Sequence, residues 1–324
     1  MKEITYVNAL NEALYEEMER DEKVFLIGED IGPYGGVFGV TKGLYEKYGF
    51  ERVKQTPISE SAIIGAAVGA AITGLRPVAE IMYLDFITLA IDQIVNQAAK
   101  LYFMSGGQTN VPMVIRAQYG TGTAEAAHHS QCLEAWFAHV PGLKVVMPST
   151  AYDAKGLLKS SIRDSNPVIF LEHRVLYSKR FEVPDGDWIV ELGKGDIKRN
   201  GKDITVIATG IMVERTLQAS KDLSPEIDIE IIDPRTIYPL DLGLILKSVK
   251  KTGNVLIVHE AVTRFGIGAE ILRNIIGNSF DYLDSPPKVL GSIDTPVPYS
   301  VPLEKAVVPQ KDDIVRAVRK ILGR

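Results

Sequence analysis

One cysteine, Cys132, stands among the 324 residues. A lone thiol excludes an internal disulfide framework and suits a reducing compartment such as the cytoplasm. Its ordinary role is that of a small buried hydrophobe. Long apolar runs are also missing. Nothing approaches the ~20 apolar residues of a membrane-spanning helix. The opening stretch "MKEITYVNALNEALYEEMERDEKV" is too charged to read as a signal peptide. Excess positive charge is lacking too: 36 Lys and Arg face 41 Asp and Glu, a formal net charge of -5. With no basic run and no interleaving of basic and aromatic residues, the footprint of a nucleic-acid binder is absent. No short-period repeat, low-complexity segment or Walker-type phosphate loop is visible. "GIGAE" near Gly266 is only a fragment of a dinucleotide fingerprint and opens no clear βαβ unit.

Short apolar runs of strand length alternate with amphipathic stretches of helix length. "VFLIGED", "PVAEIMY", "VPMVIRAQ", "LKVVMPS" and "PVIFLEH" read as strands. Between them, "ISESAIIGAAVGAAIT", "ITLAIDQIVNQAAKLYFM" and "AYDAKGLLKSSIRD" read as helices. From about Arg174 to Lys202 the rhythm breaks into a Gly-, Asp- and Lys-rich connection that could hold a hairpin. Alternation then resumes with "ITVIATG", "IDIEIID", "NVLIVHE" and "KVLGSI", and a last helix falls near "DDIVRAVRKIL". Such alternation predicts an α/β fold of two domains, each a mostly parallel sheet with helices on both faces. The expected domains are 1–180 and 202–324, with 181–201 as linker.

Active sites of open α/β sheets lie beyond the carboxyl ends of the strands. Asp30, Glu60, Asp85, Gln118 to Thr123, Ser149, Glu172, Asp233 and Glu260 fall there, although helix caps and hinge contacts fall there as well. Glu60 is the most informative. Thr56 or Ser59 can cap a helix, with Pro57 near its first position, which puts Glu60 in or near the first turn. Ser61, Gly65, Gly69 and Thr73 then recur every four residues as one small-residue stripe. Glycine inside a helix costs roughly 1 kcal/mol relative to alanine, so another backbone is expected to pack closely there. A carboxylate at a helix start is favoured by the helix dipole alone. At the lip of a dry pocket it would instead be desolvated, its pKa raised, and suited to holding or sharing a proton.

The chain holds five histidines, and "AEAAHHSQCLEAWFAHVPG" carries three of them, His128, His129 and His139. They sit between a glycine-rich turn and an aromatic stretch, which suits either a proton-handling loop or a polar turn leading into a packed helix.

Together with "TPISE", "GAAVGAA", "GLRPVAEIMYLDF" and "AIDQIVNQAAKLYFMSGG", the segment "AAHHSQCLEAWFAHVPGLKVVMPS" resembles the β subunit of the E1 component of 2-oxo acid dehydrogenase complexes. "HEAVTRFGIGAEI" and "DTPVPYSVPLEK" extend the resemblance over almost the whole chain. It implies a transketolase-like pyrimidine-binding domain followed by a transketolase C-terminal-like domain. It implies thiamine diphosphate as cofactor, and oxidative decarboxylation of a pyruvate-type or branched-chain 2-oxo acid with acyl transfer to the lipoyl group of E2. Glu60 matches the glutamate that hydrogen-bonds N1′ of the aminopyrimidine, Phe86 the aromatic that packs on that ring, and Ile58 a pocket-lining position. His129 matches the active-site histidine that assists acyl transfer; His128 is a flanking residue and His139 a structural one. Met113, Ser161, Ile162, Asp164 and Asn166 match a potassium site.

The usual Gly-Asp-Gly and Asn motif for a magnesium-held diphosphate has no counterpart in "PDGDW" or "GKGDIKRNG". The resemblance therefore implies a separate E1 α subunit that holds Mg2+ in an α2β2 assembly, and an E2 core as the next partner. Two other readings are the C-terminal half of a split transketolase, against which "HHSQCLEAWFAHVPG" speaks, and a catalytically silent scaffold, against which Glu60 and His129 together speak.

Overall fold

The computed structural model describes residues 1–323. The chain divides into two compact units: Met1–Tyr119 with Trp136–Leu192, and Gly120–Ala135 with Gly193–Arg324.

Eight strands belong to the first unit: β1 (Lys2–Thr5), β2 (Val24–Gly28), β3 (Val53–Gln55), β4 (Arg76–Ile81), β5 (Val114–Tyr119), β6 (Lys144–Val146), β7 (Val168–His173) and β8 (Arg180–Val183). Six form a parallel sheet in the order β6-β7-β5-β4-β2-β3. Strands β2, β5 and β7 are buried along their whole length, as expected when helices cover both faces of a sheet. Helix Ala151–Arg163 is capped by the Thr150 hydroxyl, which accepts from the Asp153 N–H. It packs against helix Tyr6–Arg20 through Lys155 and Lys159, whose buried ammonium groups pair with Glu12, Glu16 and Asp187.

Parallel register puts three charged residues in line. Glu80 lies opposite Arg116, and Glu172 lies two residues beyond the partner of Arg116, on the same face. Arg116 Nη1 donates to Glu80 Oε2 at 2.5 Å, while Nε and Nη2 clasp both oxygens of Glu172 at 2.7 Å. The Tyr177 hydroxyl closes the group by donating to Glu172. Burial works against the charge on Arg116, but Glu172 and Glu80 more than offset it and hold the guanidinium protonated.

Strands β9 (Asp196–Arg199), β10 (Ile204–Ala208), β11 (Ile229–Asp233), β12 (Thr236–Tyr238), β13 (Val255–Val262) and β14 (Lys288–Ser292) belong to the second unit. Its sheet runs β14-β13-β10-β11-β9, with β9 antiparallel at the edge and the rest parallel. Ile207, Ile232, Val255 and Ile257 of the sheet pack on Ile245, Val249, Ile271 and Ile275 of the helices Leu242–Thr252 and Ile267–Ser279. Burial of each such side chain contributes about 1.5–3 kcal/mol. No helix among the described residues is long and apolar enough to cross a membrane.

Several local features differ from the sequence expectation. Residues 87–104 are not one helix: a 3-10 turn (Phe86–Ala90), a π-helical segment (Gln93–Ala98) and a short α-helix (Leu101–Met104) follow one another. The end of this segment packs on the turn at Pro141 and Gly142. A Cβ on Gly142 would lie 2.1 Å from the Ala99 carbonyl oxygen, and Lys100 Nζ donates to the Pro141 carbonyl. The connection near 180–200 holds two strands rather than a hairpin, because each pairs elsewhere: β8 with β1 and β9 with β11. Residues 120–135, expected within 1–180, cluster with the second unit. Their backbone amides are taken up by carboxylates of that unit.

Candidate functional site

The carboxyl ends of β5, β4, β2 and β3 lie side by side, and the first unit places Ile58, Glu60 and Phe86 after them. Helix Glu60–Ile72 starts just after β3, with Glu60 as its first residue and half-buried. Neither hydroxyl proposed as a cap fills that role. Ser59 occupies the N-cap position without a side-chain bond, and the buried Thr56 Oγ1 has no hydrogen-bond partner among the described residues. The Thr56 amide instead donates to the Gly28 carbonyl at 2.9 Å, which ties the end of β3 to β2. Ile58 is 79% exposed. Phe86 follows β4, half-buried, and its ring meets Tyr83 edge-on with centroids 6.4 Å apart.

Tyr83 has a φ of 70°, a left-handed conformation that a bulky residue adopts only when its surroundings impose it. Gln118 imposes it. Its side-chain oxygen accepts from Tyr83 N–H at 3.3 Å, and its backbone carbonyl accepts from Leu84 N–H at 2.7 Å. The Tyr83 ring also meets Phe38 edge-on at 5.6 Å, and the guanidinium of Arg174 lies 4.3 Å from the Phe38 centroid. Phe86 is thus the outer member of an aromatic group that starts at Tyr177.

Glu29, which the sequence reading passed over in favour of its neighbour Asp30, is buried at the end of β2. Burial raises its pKa, and the charge of Glu60 raises it further. Among the described residues, the small-residue stripe Ser61, Gly65, Gly69 and Thr73 has no close neighbour at Gly69, where an added Cβ would meet nothing within 4 Å.

The proposed cation ligands cluster at the C-terminus of helix Ala151–Arg163. Ser161 and Ile162 end the helix, Asp164 is its C-cap, and the Asp164 carboxylate accepts from the Asn166 amide N–H at 2.8 Å. The Met113 carbonyl accepts from Val168 N–H at 3.0 Å. Arg76 Nη1 donates to the Ile162 and Asp164 carbonyls at 2.8 and 3.0 Å, and Lys144 donates to the Asp164 carboxylate. Each of those carbonyls keeps a second lone pair.

His129 lies in the second unit, in the irregular segment between Gly120 and Ala135, and is half-buried; His128 is exposed. Cys132, in the same segment, is half-buried rather than buried. The His129 amide donates to the Ala126 carbonyl at 3.5 Å. At the foot of the segment, Glu134 starts a short helix (Glu134–Ala138) with its carboxyl buried and Oε2 without a hydrogen-bond partner. Burial, with a contribution from Glu260, pushes its pKa up to about 7. Among the described residues, no three His, Cys, Asp or Glu side chains stand together to hold a metal ion.

Comparison with known proteins gives a consistent picture. Residues 2–179 match the model of the transketolase pyrimidine-binding domain, and residues 193–314 that of the transketolase C-terminal domain. The chain is 49% identical to the pyruvate dehydrogenase E1 component subunit beta-2 of Oryza sativa subsp. japonica, over 100% of this chain and 87% of that one. It is 46% identical to the 2-oxoisovalerate dehydrogenase subunit beta of Bacillus subtilis, over 99% of each. It is also 46% identical to the acetoin:2,6-dichlorophenolindophenol oxidoreductase subunit beta of Cupriavidus necator, over 97% of this chain and 96% of that one. With both domain models matched in order and this identity held from end to end, the chain belongs to the family of E1 β subunits of 2-oxo acid dehydrogenases, built on the two transketolase-like domains.

Proposed function

We propose that this chain supplies the pyrimidine-binding half of a thiamine diphosphate site and works only with an E1 α subunit, in an α2β2 assembly that acylates the lipoyl group of E2. Its family is thiamine-diphosphate-dependent, and oxidative decarboxylation of a 2-oxo acid is the family's reaction. The observation that carries the reading is the state of the residues that follow β2, β3 and β4. Among the described residues the buried Thr56 hydroxyl lacks a partner, the apolar Ile58 side chain is exposed, and burial, then the charge of Glu60, raise the pKa of the Glu29 carboxyl. Each is unfavourable in the chain by itself and would be relieved by a flat, part-apolar ligand carrying ring nitrogens.

In this reading Phe86 packs on the pyrimidine ring, worth about 0.5–1.5 kcal/mol beyond area burial. Ile58 would line the same pocket. Glu60 would hold a proton that a ring nitrogen of the bound coenzyme can share. When bound, the coenzyme supplies the thiazolium carbon that takes up the electron pair released by decarboxylation. His129 would balance the substrate's negative charge and move a proton during acyl transfer. The diphosphate and its Mg2+ fall to the α subunit. The open side of the small-residue stripe at Gly69 is the natural contact for a partner backbone.

The deciding experiment is reconstitution. The purified chain alone is expected to be inactive. With its α partner, thiamine diphosphate and Mg2+, it should reduce an artificial acceptor when a 2-oxo acid is added. Activity of the lone chain would refute the half-site. Ketol transfer between sugar phosphates without need of a lipoyl acceptor would identify a split transketolase instead. Pyruvate and 2-oxoisovalerate compared on the same reconstituted enzyme give the side-chain preference, since one methylene in such a pocket is worth about 1–3 kcal/mol.

Substitution of His129 by Ala should reduce transfer to lipoamide by about 10²-fold or more, within the range for a removed proton-transfer group. Decarboxylation, followed by CO2 release with an artificial acceptor, should fall much less. Equal losses in the two half-reactions would contradict the assignment.

The oxygen donors of Met113, Ser161, Ile162, Asp164 and Asn166 suit a hard monovalent cation. We assign potassium there. Exchange of K+ for choline should lower the melting temperature of the chain, and an unchanged melting curve would argue that Arg76 and Lys144 satisfy the turn without an ion. A cytoplasmic location is proposed from the single cysteine, and cell fractionation tests it.

A further inference from the structure

The segment that carries His129 is wound against its own preference. Four of its residues adopt left-handed backbone: Gly120 (φ 94°), Gly122 (φ 106°), Ala124 (φ 57°) and Ala126 (φ 62°). Glycine does this freely, whereas alanine does it only under constraint. Ala126 is also the residue whose carbonyl receives the His129 amide, so its unusual φ sets the course of the chain into His129.

Two carboxylates supply the constraint. Glu260, in β13, accepts the Thr121 amide at 2.8 Å and the Thr121 hydroxyl at 2.5 Å on the same oxygen. Glu304, in helix Val301–Val307, accepts the Gly122 amide at 2.8 Å and the Ala124 amide at 3.2 Å on one oxygen. Both side chains are nearly inaccessible, 5% and 2% exposed. A carboxylate removed from water needs hydrogen-bond donors, and here three backbone N–H groups of one short segment, with the Thr121 hydroxyl, supply them. The amide bonds hold the chain at 121, 122 and 124, and the disfavoured turns at 124 and 126 follow from where it is held.

We propose that Glu260 and Glu304 are positioning residues for acyl transfer, which clamp the 120–126 backbone in its left-handed turns and thereby set the position of His129. The C-terminal transketolase-like unit then contributes to the chemistry through this segment. The proposal rests on the assignment of acyl transfer to His129.

The test uses the reconstituted enzyme with its α partner. Glu304→Ala removes the acceptor, and Glu304→Gln keeps an oxygen but not the charge. Misplacement of a catalytic group by about 1 Å can cost about 10²-fold. Transfer to lipoamide should therefore fall on the order of tenfold to 10²-fold further than decarboxylation in Glu304→Ala, with a smaller loss of the same kind in Glu304→Gln. Amide exchange at Gly122 and Ala124, read by mass spectrometry, should accelerate in both. Adding Ala124→Gly and Ala126→Gly to Glu304→Gln should restore part of the transfer rate, because glycine holds a positive φ without the clamp. General destabilisation predicts no such rescue, since glycine loosens the unfolded chain.

Native transfer rates and native exchange in the Glu304 variants would overturn the proposal, as would failure of the glycine pair to recover transfer. Accelerated exchange beside a fully active His129→Ala enzyme would instead overturn the role given to His129 and leave the clamp in place.

Discussion

Glu60→Gln should lower turnover of the reconstituted enzyme by about 10²–10⁴-fold, the usual contribution of a positioned proton-transfer group. Coenzyme binding and subunit assembly should persist. Glutamine has nearly the volume of glutamate and offers a hydrogen bond at the same place, but it carries no proton that a ring nitrogen can take. The half-buried position of Glu60 at the first residue of helix Glu60–Ile72 lets the exchange occur without a cavity or an unpaired buried charge. The measurement is acceptor reduction at saturating coenzyme, with assembly followed by analytical ultracentrifugation. Turnover within a factor of a few of the parent would remove Glu60 from the proton path. Collapse of the assembly would make its role one of structure.

Loss of the guanidinium at Arg116 should have the largest effect on stability. Arg116→Met leaves Glu80 and Glu172 buried with no cation between them, and both carboxyl groups are at most a few per cent exposed. Breaking a buried pair from one side costs about 3–5 kcal/mol. In a unit of this size that is a fall in melting temperature of roughly 10 °C. Adding Glu80→Gln and Glu172→Gln to Arg116→Met should recover much of the loss, because the penalty comes from uncompensated charge and not from the missing contacts. A fall of only a degree or two in Arg116→Met would mean that water reaches the site. Calorimetry of the three-substitution variant beside the single one separates the two explanations.

The network around Arg116 also shows how far local pattern carries. "VIRAQ" places one arginine in the middle of an apolar strand, a signal of a buried partner that the sequence reading did not pursue. The identity of that partner depends on strand order. β5 lies between β4 and β7, so its arginine meets one carboxylate from each side, at separations of 36 and 56 residues. No periodicity within a strand encodes its neighbours in the sheet.

The aromatic wall follows the same logic. Phe86 is singled out by the resemblance of its motif alone. The left-handed Tyr83 behind it requires the side chain and carbonyl of Gln118, and that meeting exists only once β4 and β5 pair.

Alternation of strand-length and helix-length runs was enough to establish two α/β units with parallel sheets, because burial on both faces leaves a continuous apolar run that any reader of the chain can see. Long motifs in order were enough to establish the family. The tertiary structure alone attached residues 120–135 to the second unit, gave the His129 segment its disfavoured turns, and matched Glu260 and Glu304 to its amides across 139 and 182 residues. Local sequence fixes which backbone shapes are cheap. Only the packed chain can hold a segment in an expensive one, because the groups that compensate it come from elsewhere in the fold.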